Sequence, residues 1–507
     1  MDLISSPNFE NHIRVVLNAL HTPGVAIAIL QDGKMESKGF GLAAIDPPKP
    51  VTPDTLFDIA SSSKSLTAAS VALLVADNEK YPQVQWDAKM STILPDDFVM
   101  SKDDYTNDIT VEDILCHRTG LPSHQDSILG IRAEHPDSVG SITRNLRNLQ
   151  VAAPIRSKFM YSNMMFNVAT HLVEKLSGQT FEEFLHQNFF KPLDMSSTNL
   201  QPDAAIGAGL KDRMAIPHVW VDEQLKAVPW EQMPDGQGAG SIITSVTDYL
   251  KYVQALMNQE HPFTEEILKA VTTPRIISNP EDDIDELSPF TSHTLYALGW
   301  EVVYYRGHKA VQHGGQISGS GGGVFFVPEL NFAGVILGNS DIASTVAEVV
   351  FMEMLDVLIG TPVKERTDWI ALSQKRTQKY KDEQMKGDAL KKKIWPEFDG
   401  KTEPQKLPLE TYAGEYCNVG YHGMTVDIKD EQLFVDASDR ADGFTLRFEH
   451  VCKQTLYVAT LRERLGDVDG DAFELEAEFR FANDREVKMG VKLEDDLEDM
   501  IWFDRVI

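Results

Sequence analysis

The 507-residue sequence contains only three cysteines, Cys116, Cys417 and Cys452. An odd and sparse set gives no disulfide framework and is typical of a protein in a reducing compartment. None of the three stands at metal-ligand spacing from a histidine, so the sequence predicts no metal site. We therefore expect a cytoplasmic protein that needs no metal or organic cofactor.

Basic residues are also scarce, with 47 lysines and arginines against 77 acidic residues and a formal net charge of -30. Such a surface repels phosphate backbones and anionic lipids, which argues against nucleic acid and membranes as partners. No run is long and apolar enough for a membrane helix, and residues 1–7 lack the regions of a secretory signal. The expected partner is a small-molecule or peptide substrate, and a second copy of the chain is a further candidate.

The length predicts more than one domain, and three intervals differ in composition. Within residues 1–361, a helical pattern and a buried hairpin come first, and further strands and a strong helix come last. This order predicts an α+β domain whose antiparallel sheet is made from both chain ends, with a helical region between them. Residues 362–405 are charged and have thin apolar spacing, which predicts a linker.

Residues 406–507 contain short alternating stretches separated by turn residues. Such spacing predicts a small antiparallel β-barrel or sandwich. We find no catalytic constellation in this interval. We therefore expect it either to cover the cleft of the first domain or to mediate assembly.

Ser61 and Lys64 form the most informative pair of the chain, because the helical pattern that follows places both on one face. A serine hydroxyl is a poor nucleophile until a neighbouring base accepts its proton, and burial lowers the pKa of a lysine amine toward that role. Ser-x-x-Lys is the arrangement of serine acyl-enzymes. The tetrapeptide alone is a weak signal, because serine is also a common helix N-cap.

Two further motifs follow in the chain. Tyr161 and Asn163 can point the same way from an extended or turn segment, where a phenol relays a proton and an amide holds a carbonyl or the lysine. His313 is followed by Gly314 and Gly315, which would let a substrate backbone lie close to a strand edge. Each motif alone is more often a packing tyrosine or an ordinary turn, but their combined order is much harder to obtain by chance.

In this order the three motifs resemble the serine β-lactamase and penicillin-binding-protein-like superfamily, and most closely its class C β-lactamase, D-aminopeptidase and esterase branch. Residues 113–122, 176–181, 191–195 and 238–241 resemble further segments of that family, so the likeness covers roughly residues 10–360. The opening of the final interval, Tyr-x-Gly-x-Tyr from Tyr412, resembles a lipocalin-like domain that is appended to some of these enzymes.

Three positions depart from the family pattern. His313 stands where β-lactamases and penicillin-binding proteins carry lysine, Asp194 stands where glycine is usual, and Arg118-Thr119 stands where Thr-Ser is usual. The lysine of the relatives pairs with the carboxylate of β-lactam antibiotics, whereas a histidine there resembles the D-aminopeptidase and D-peptidase relatives. The first departure therefore points away from β-lactam hydrolysis.

The resemblance implies a serine hydrolase that acts through a covalent acyl-enzyme on an amide, peptide or ester. Ser61 would attack the carbonyl, and Lys64 and Tyr161 would relay the proton, with the choice of base left open. The backbone N–H groups of Ser61 and Gln316 would form the oxyanion hole. The implied substrate-binding and oxyanion positions are Asn163, His313, Gly314, Gly315 and Gln316. An acyltransferase or transesterase of a biosynthetic pathway would use the same residues, and a non-catalytic binding scaffold is the third alternative.

Overall fold

The computed structural model describes residues 4–283, 286–481 and 487–506. Its α-helices are α1 (Pro7–Ala19), α2 (Lys64–Ala76), α3 (Met90–Ile93), α4 (Asp103–Asp108), α5 (Val111–Leu115), α6 (Val139–Asn145), α7 (Asn163–Ser177), α8 (Phe181–Leu185), α9 (Pro202–Gly207), α10 (Val246–Asn258), α11 (Glu265–Thr272), α12 (Ala343–Leu358), α13 (Trp369–Glu383) and α14 (Asp388–Ile394). None of the helices within these ranges combines the length and hydrophobicity needed to cross a membrane.

The strands fall into two groups. The first group is β1 (Gly24–Gln31), β2 (Lys34–Ala44), β3 (Lys49–Pro50), β4 (Phe57–Asp58), β5 (Asn199–Leu200), β6 (His218–Val221), β7 (Gln224–Ala227), β8 (Ile242–Thr244), β9 (Ile276–Ile277), β10 (Leu295–Tyr296), β11 (Glu301–Tyr305), β12 (His308–Ile317), β13 (Ser320–Val327) and β14 (Phe332–Gly338). The second group is β15 (Gly414–Asn418), β16 (His422–Lys429), β17 (Gln432–Ala437), β18 (Phe444–Cys452), β19 (Leu456–Leu465), β20 (Val468–Phe481), β21 (Val487–Val491) and β22 (Ile501–Arg505).

A nine-stranded sheet supports the first part of the chain, in the order β3-β2-β1-β14-β13-β12-β11-β10-β9. The central pair joins β1 to β14 in antiparallel register, from Val25 opposite Gly338 to Gln31 opposite Phe332. Both strands are almost continuously apolar because helices cover both faces of the sheet, with α12 on one side and α10 on the other. The predicted α+β fold, with one sheet made from both chain ends, is confirmed.

Helix α2 runs through the middle of the first part and is buried on nearly every side. It is rich in alanine and small polar residues, which lets α7 and α11 pack closely against it. Helix α7 begins at Asn163 and ends at Ser177, and the next residue, Gly178, caps it in the left-handed conformation that favours glycine. The starts of these two helices bring the first two predicted motifs together beside strand β12.

The interval predicted as a charged linker contains two helices, α13 and α14. Trp369 of α13 is buried and packs with Tyr305 of the large sheet at a ring distance of 5.8 Å. Leu390 of α14 is buried with Val451 and Val458 of the second group of strands. Each helix is anchored by isolated apolar residues, so the interval lacks the continuous apolar stripe that predicts a packed helix.

The second group of strands forms a closed antiparallel barrel in which spatial neighbours follow one another in the chain from β15 to β22. Closure comes from the pairing of β15 with β22, which joins Tyr416 to Arg505. The interior contains Tyr412, Tyr457 and Phe479 in edge contact, with ring centroids 5.2 to 5.6 Å apart. The predicted all-β barrel is therefore confirmed, as a closed barrel of eight strands.

The barrel lies directly against the loop of residues 124–132 of the first part. The backbone N–H of Gly130 donates to Asp439 O at 2.9 Å, and the N–H of Ala441 donates to Ile128 O at 2.9 Å. A Cβ atom on Gly130 would lie 2.8 Å from both Ala441 Cα and Arg440 O, so only glycine lets the two backbones approach this closely. The barrel is thus fixed beside the loop that leads toward the predicted site.

Asp113 organises the segment that follows α4. Its buried carboxylate accepts the backbone N–H of Thr110 at 3.0 Å, an N–H of Arg118 at 2.6 Å and an N–H of Arg156 at 2.5 Å. Burial raises the pKa of Asp113, but these hydrogen bonds outweigh it and hold that pKa below its ordinary value. Arg118, which departs from the family pattern, thereby has a structural partner in this chain.

We predict that Asp113→Ala lowers the free energy of unfolding by about 3 kcal/mol, because it leaves two arginines at the site without their shared partner. Chemical denaturation of the full chain measures this loss. The matched control is Asp108→Ala, which removes an exposed salt bridge with Lys89 and should cost less than ~1 kcal/mol. Equal losses in the two variants would contradict the assignment.

Candidate active site

Ser61 stands in a single 3-10 turn, Ala60–Ser63, that leads directly into α2. Ala60 has a φ of +46°, a left-handed conformation that costs a non-glycine residue about 1–2 kcal/mol. Its N–H donates to the buried Asp58 carboxylate at 2.7 Å, which helps to hold the strained turn. Ser61 faces the cleft, whereas Ser62 and Ser63 are fully buried.

Lys64 is fully buried at the start of α2. Its Nζ lies 2.9 Å from Ser61 Oγ, 2.8 Å from Asn163 Oδ1 and 2.9 Å from Ala239 O. The amide and carbonyl oxygens can only accept, so they take the two N–H bonds of a neutral amine and leave its lone pair for the Ser61 hydroxyl. Burial lowers the pKa of Lys64 well below its ordinary value, in agreement with the neutral form.

Tyr161 lies on the other side of the serine, with its hydroxyl 2.9 Å from Ser61 Oγ. The residue is 38% exposed and lines the cleft, while burial of its hydroxyl raises the pKa of Tyr161 well above its ordinary value. The phenol therefore stays protonated and donates to Ser61 Oγ. The structure brings Ser61, Lys64, Tyr161 and Asn163 together as the sequence predicted.

A chain of neutral hydrogen bonds supports this group from behind. Ser162 N–H donates to His117 Nδ1 at 3.0 Å, and His117 Nε2 lies 3.2 Å from the Tyr296 hydroxyl. The Tyr296 hydroxyl lies 2.9 Å from His313 Nε2, and His313 Nδ1 lies 2.6 Å from Gly314 O. One assignment satisfies every contact: His117 Nε2–H donates to Tyr296, which donates to His313 Nε2, while His313 Nδ1–H donates to Gly314 O.

Both imidazoles of this chain are neutral. Burial lowers the pKa of His313 to about 3. Burial also lowers the pKa of His117 well below its ordinary value. His313 therefore does not provide a positive charge for a substrate carboxylate.

His117 and Tyr296 were missed by the sequence analysis. His117 lies in the segment 113–122 that carried part of the family resemblance, so a signal for it was available. Tyr296 belongs to the two-residue strand β10 and has no local pattern around it. Tyr296 is 179 residues from His117 in the chain, and only the fold of the sheet brings the two side chains together.

Gly314, Gly315 and Gln316 lie within strand β12, so the His-Gly-Gly motif is strand and not turn. A Cβ atom on Gly315 would lie 2.0 Å from Ile59 O and 3.0 Å from Ser61 N. On Gly314 the nearest atoms would be 3.9 Å away. Strand β12 therefore passes in direct contact with the turn that holds the serine, and Gly315 is the point of contact.

Two cavities meet at Ser61. The larger, about 330 Å³, is lined by Tyr161 and His313 among others, and the smaller, about 190 Å³, is lined by Asn163 and the neighbouring small-residue turn. Ser61 and Gln316 line both cavities. The serine hydroxyl thus has space on two sides. In the part of the chain that the structure describes, no group of three or more histidine, cysteine or acidic side chains is arranged to hold a metal ion.

Comparison with known proteins gives the family of this site. Residues 9–358 match the family model described as Beta-lactamase. The chain belongs to the beta-lactamase family. Residues 399–505, which contain the barrel, match a second family model that is described as a domain of unknown function.

Relatives cover nearly the whole chain. The unguisins hydrolase ungD′ of Aspergillus campestris is 33% identical over 505 residues, which is 98% of this chain and 91% of that protein. The unguisins hydrolase ungD of Aspergillus violaceofuscus is 33% identical over 474 residues, covering 88% of this chain and 81% of that protein.

Solved structures support the same fold. The octameric penicillin-binding protein homologue from Pyrococcus abyssi has a TM-score of 0.60 at 19% identity and covers 100% of both chains. The D-amino acid amidase from Ochrobactrum anthropi SV3 has a TM-score of 0.54 at 22% identity, over 70% of this chain and 98% of the amidase. These structures show the fold, and the family match together with the hydrolase relatives confirms the prediction of a serine hydrolase-type member of this family.

We predict that Gly315→Ala reduces labelling of Ser61 by a fluorophosphonate probe at least ~100-fold, because the new methyl group displaces β12 from the serine turn. Gly314→Ala is the matched control, since its methyl group would make only ordinary van der Waals contacts at 3.9 Å, and it should label at close to the parent rate. Labelling rates measured by intact-protein mass spectrometry decide the matter. Similar rates for the two variants would show that the close approach at Gly315 has no role.

Proposed function

We propose that this protein hydrolyses an amide or peptide bond through a covalent acyl-enzyme on Ser61. The observation that carries the proposal is the hydrogen bonding of Lys64, whose three contacts are all to neutral oxygens. A buried neutral amine with its lone pair directed at a serine hydroxyl is a general base in contact with its nucleophile.

The contacts support Lys64 as the base and Tyr161 as the proton donor. Lys64 takes the proton of Ser61 as Oγ attacks the substrate carbonyl, and a tetrahedral intermediate forms. Tyr161 then gives its proton to the leaving nitrogen and regains one from the Lys64 ammonium, so the carbon–nitrogen bond breaks and the amine departs. Water, deprotonated by Lys64, hydrolyses the resulting ester and restores Ser61.

The remaining predicted residues have supporting positions. The backbone N–H groups of Ser61 and Gln316 are proposed to bind the oxyanion, with each such donor worth about 3 kcal/mol. Asn163 holds Lys64 and is proposed to bind a substrate carbonyl. His313 is proposed to keep β12 in place through its neutral hydrogen bonds with Tyr296 and Gly314.

An amide or peptide substrate is favoured over a β-lactam antibiotic. The two cavities at Ser61 offer space for groups on both sides of a scissile bond. The neutral His313 does not provide the charge that holds an antibiotic carboxylate. The unguisins hydrolase relatives also support hydrolysis. An esterase or an acyltransferase would use the same catalytic groups. Experiment therefore decides which group leaves the substrate and whether water or an alcohol accepts the acyl group.

Four further properties concern the whole chain and not the site. All three cysteines are free, which supports a cytoplasmic location. The octameric state of the Pyrococcus abyssi homologue supports a search for oligomers of this chain by light scattering. The lipocalin likeness of the barrel and the boundaries 1–361, 362–405 and 406–507 remain predictions.

Trapping the acyl-enzyme tests the proposed function. A fluorophosphonate should label Ser61 and no other residue, because Ser62 and Ser63 are buried beneath it. The labelled protein should lose turnover on a panel of D- and L-amino acid amides, p-nitrophenyl esters and nitrocefin, with and without an alcohol acceptor. We expect amides to be cleaved and nitrocefin to be poor. A label on any other residue, or efficient nitrocefin turnover, would refute the proposal.

The dependence of acylation on pH identifies the base. Only the neutral amine of Lys64 accepts a proton, so acylation should fall as pH drops through the pKa of Lys64. Because that pKa is lowered, the inflection should lie well below the ordinary pKa of lysine. His313, with a pKa of about 3, remains neutral from about pH 5 to 9, so His313→Asn should leave the inflection in place. Loss of the inflection in His313→Asn would show that the assignment of Lys64 as the base is wrong.

A further inference from the structure

The loop between β17 and β18 brings the barrel into the active-site cleft. Arg440 in this loop forms a backbone bridge with Leu129, beside the close contact at Gly130. The next residue but one, Asp442, lines the 190 Å³ cavity together with Ser61 and Asn163. One wall of the cavity that contains the nucleophile therefore belongs to the second domain.

Asp442 is the charged residue of that cavity. The other fourteen lining residues are neutral, and Asp442 forms no salt bridge within the described ranges. Gln125 lines the same cavity, and its Oε1 accepts from Asn163 Nδ2 at 3.3 Å. Asn163 in turn accepts from Lys64, so Asp442 faces the same cavity as the residues that hold the catalytic lysine.

The residues around Asp442 include further acidic side chains. Burial raises the pKa of Asp235 to about 7, and the charge of Asp442 contributes to the shift. The same two causes raise the pKa of Asp126 to about 7. Asp235 is 1% exposed, and neither of its carboxylate oxygens has a hydrogen-bond partner among the described residues. Burial also raises the pKa of Asp442, and the nearby Arg132, which pairs with Glu231 at 3.7 Å, lowers it only in part. These carboxyl groups are therefore protonated more readily than usual, and a cation placed beside Asp442 would stabilise its charged form.

We propose that Asp442 is a specificity-determining residue supplied by the barrel, and that it binds a protonated amine of the substrate. The amine belongs either to a free α-amino group or to a lysine-type side chain, since both present the same ammonium. A cation in this cavity would form a charge-assisted hydrogen bond with the one carboxylate that lines it. The reaction on that substrate rests on the proposed function, but the binding does not.

Binding to the full-length Ser61→Ala protein tests the inference without catalysis. The ligands are D- and L-alanyl-alanine amide, their N-acetyl forms, and acetylated dipeptide amides in which lysine replaces norleucine. We expect about tenfold tighter binding of an ammonium-bearing ligand than of its neutral partner, by calorimetry. Whichever pair shows the difference identifies the source of the amine. Asp442→Asn in the same background should remove the difference.

Asp436→Asn is the matched control, because Asp436 is an exposed carboxylate at the end of β17 and lies outside this cavity. It should keep the tenfold difference. Asp442→Lys should reverse the preference toward N-succinyl ligands, and melting curves of both Asp442 variants verify that they fold. No preference in the parent, or a preference that survives Asp442→Asn, would overturn the inference. An ammonium preference in a protein whose Ser61 never labels would instead overturn the proposed reaction alone.

Discussion

The burial of one amine determines the chemistry of the whole cleft. Lys64 has no exposed surface, and an ammonium buried there would lose several kcal/mol of hydration. Its neutrality sets the direction of each surrounding hydrogen bond, with N–H groups directed at Asn163 and Ala239 and the lone pair at Ser61. The strained Ala60 and the contact at Gly315 then serve to keep the serine hydroxyl within reach of that lone pair.

Neutral and charged groups are separated across the cleft. The His117–Tyr296–His313 chain provides a neutral background for the catalytic group, because each ring nitrogen has one partner of the correct kind and the Tyr296 hydroxyl both accepts and donates. Acidic side chains gather on the opposite flank, where the barrel meets the first domain. A low-dielectric centre beside an acidic flank keeps proton transfer apart from the substrate attraction that we propose for Asp442.

The features that the sequence could predict are encoded locally. Ser61 and Lys64 lie within one turn, and strands such as β1 and β14 are apolar runs of ordinary length. Tyr296 and Asp442 could not be predicted as partners of that turn, because only tertiary packing brings them there and no short pattern marks them. His117 lies in a segment that carried part of the family resemblance, but its contact with Tyr296 also depends on tertiary packing. Helices α13 and α14 were not predicted for a related reason, because single buried residues such as Trp369 and Leu390 produce no amphipathic periodicity.

The pairing of β1 with β14 also imposes an order on biosynthesis. Val25 pairs with Gly338, so about 300 residues must leave the ribosome before β1 finds its second neighbour. At roughly 5 to 20 residues per second, this takes ~15 to 60 s. During that interval an apolar strand edge is open to other nascent chains. The barrel closes later still, because its last strand includes Arg505. The nascent chain therefore assembles the site around Ser61 before it acquires the cavity wall that contains Asp442.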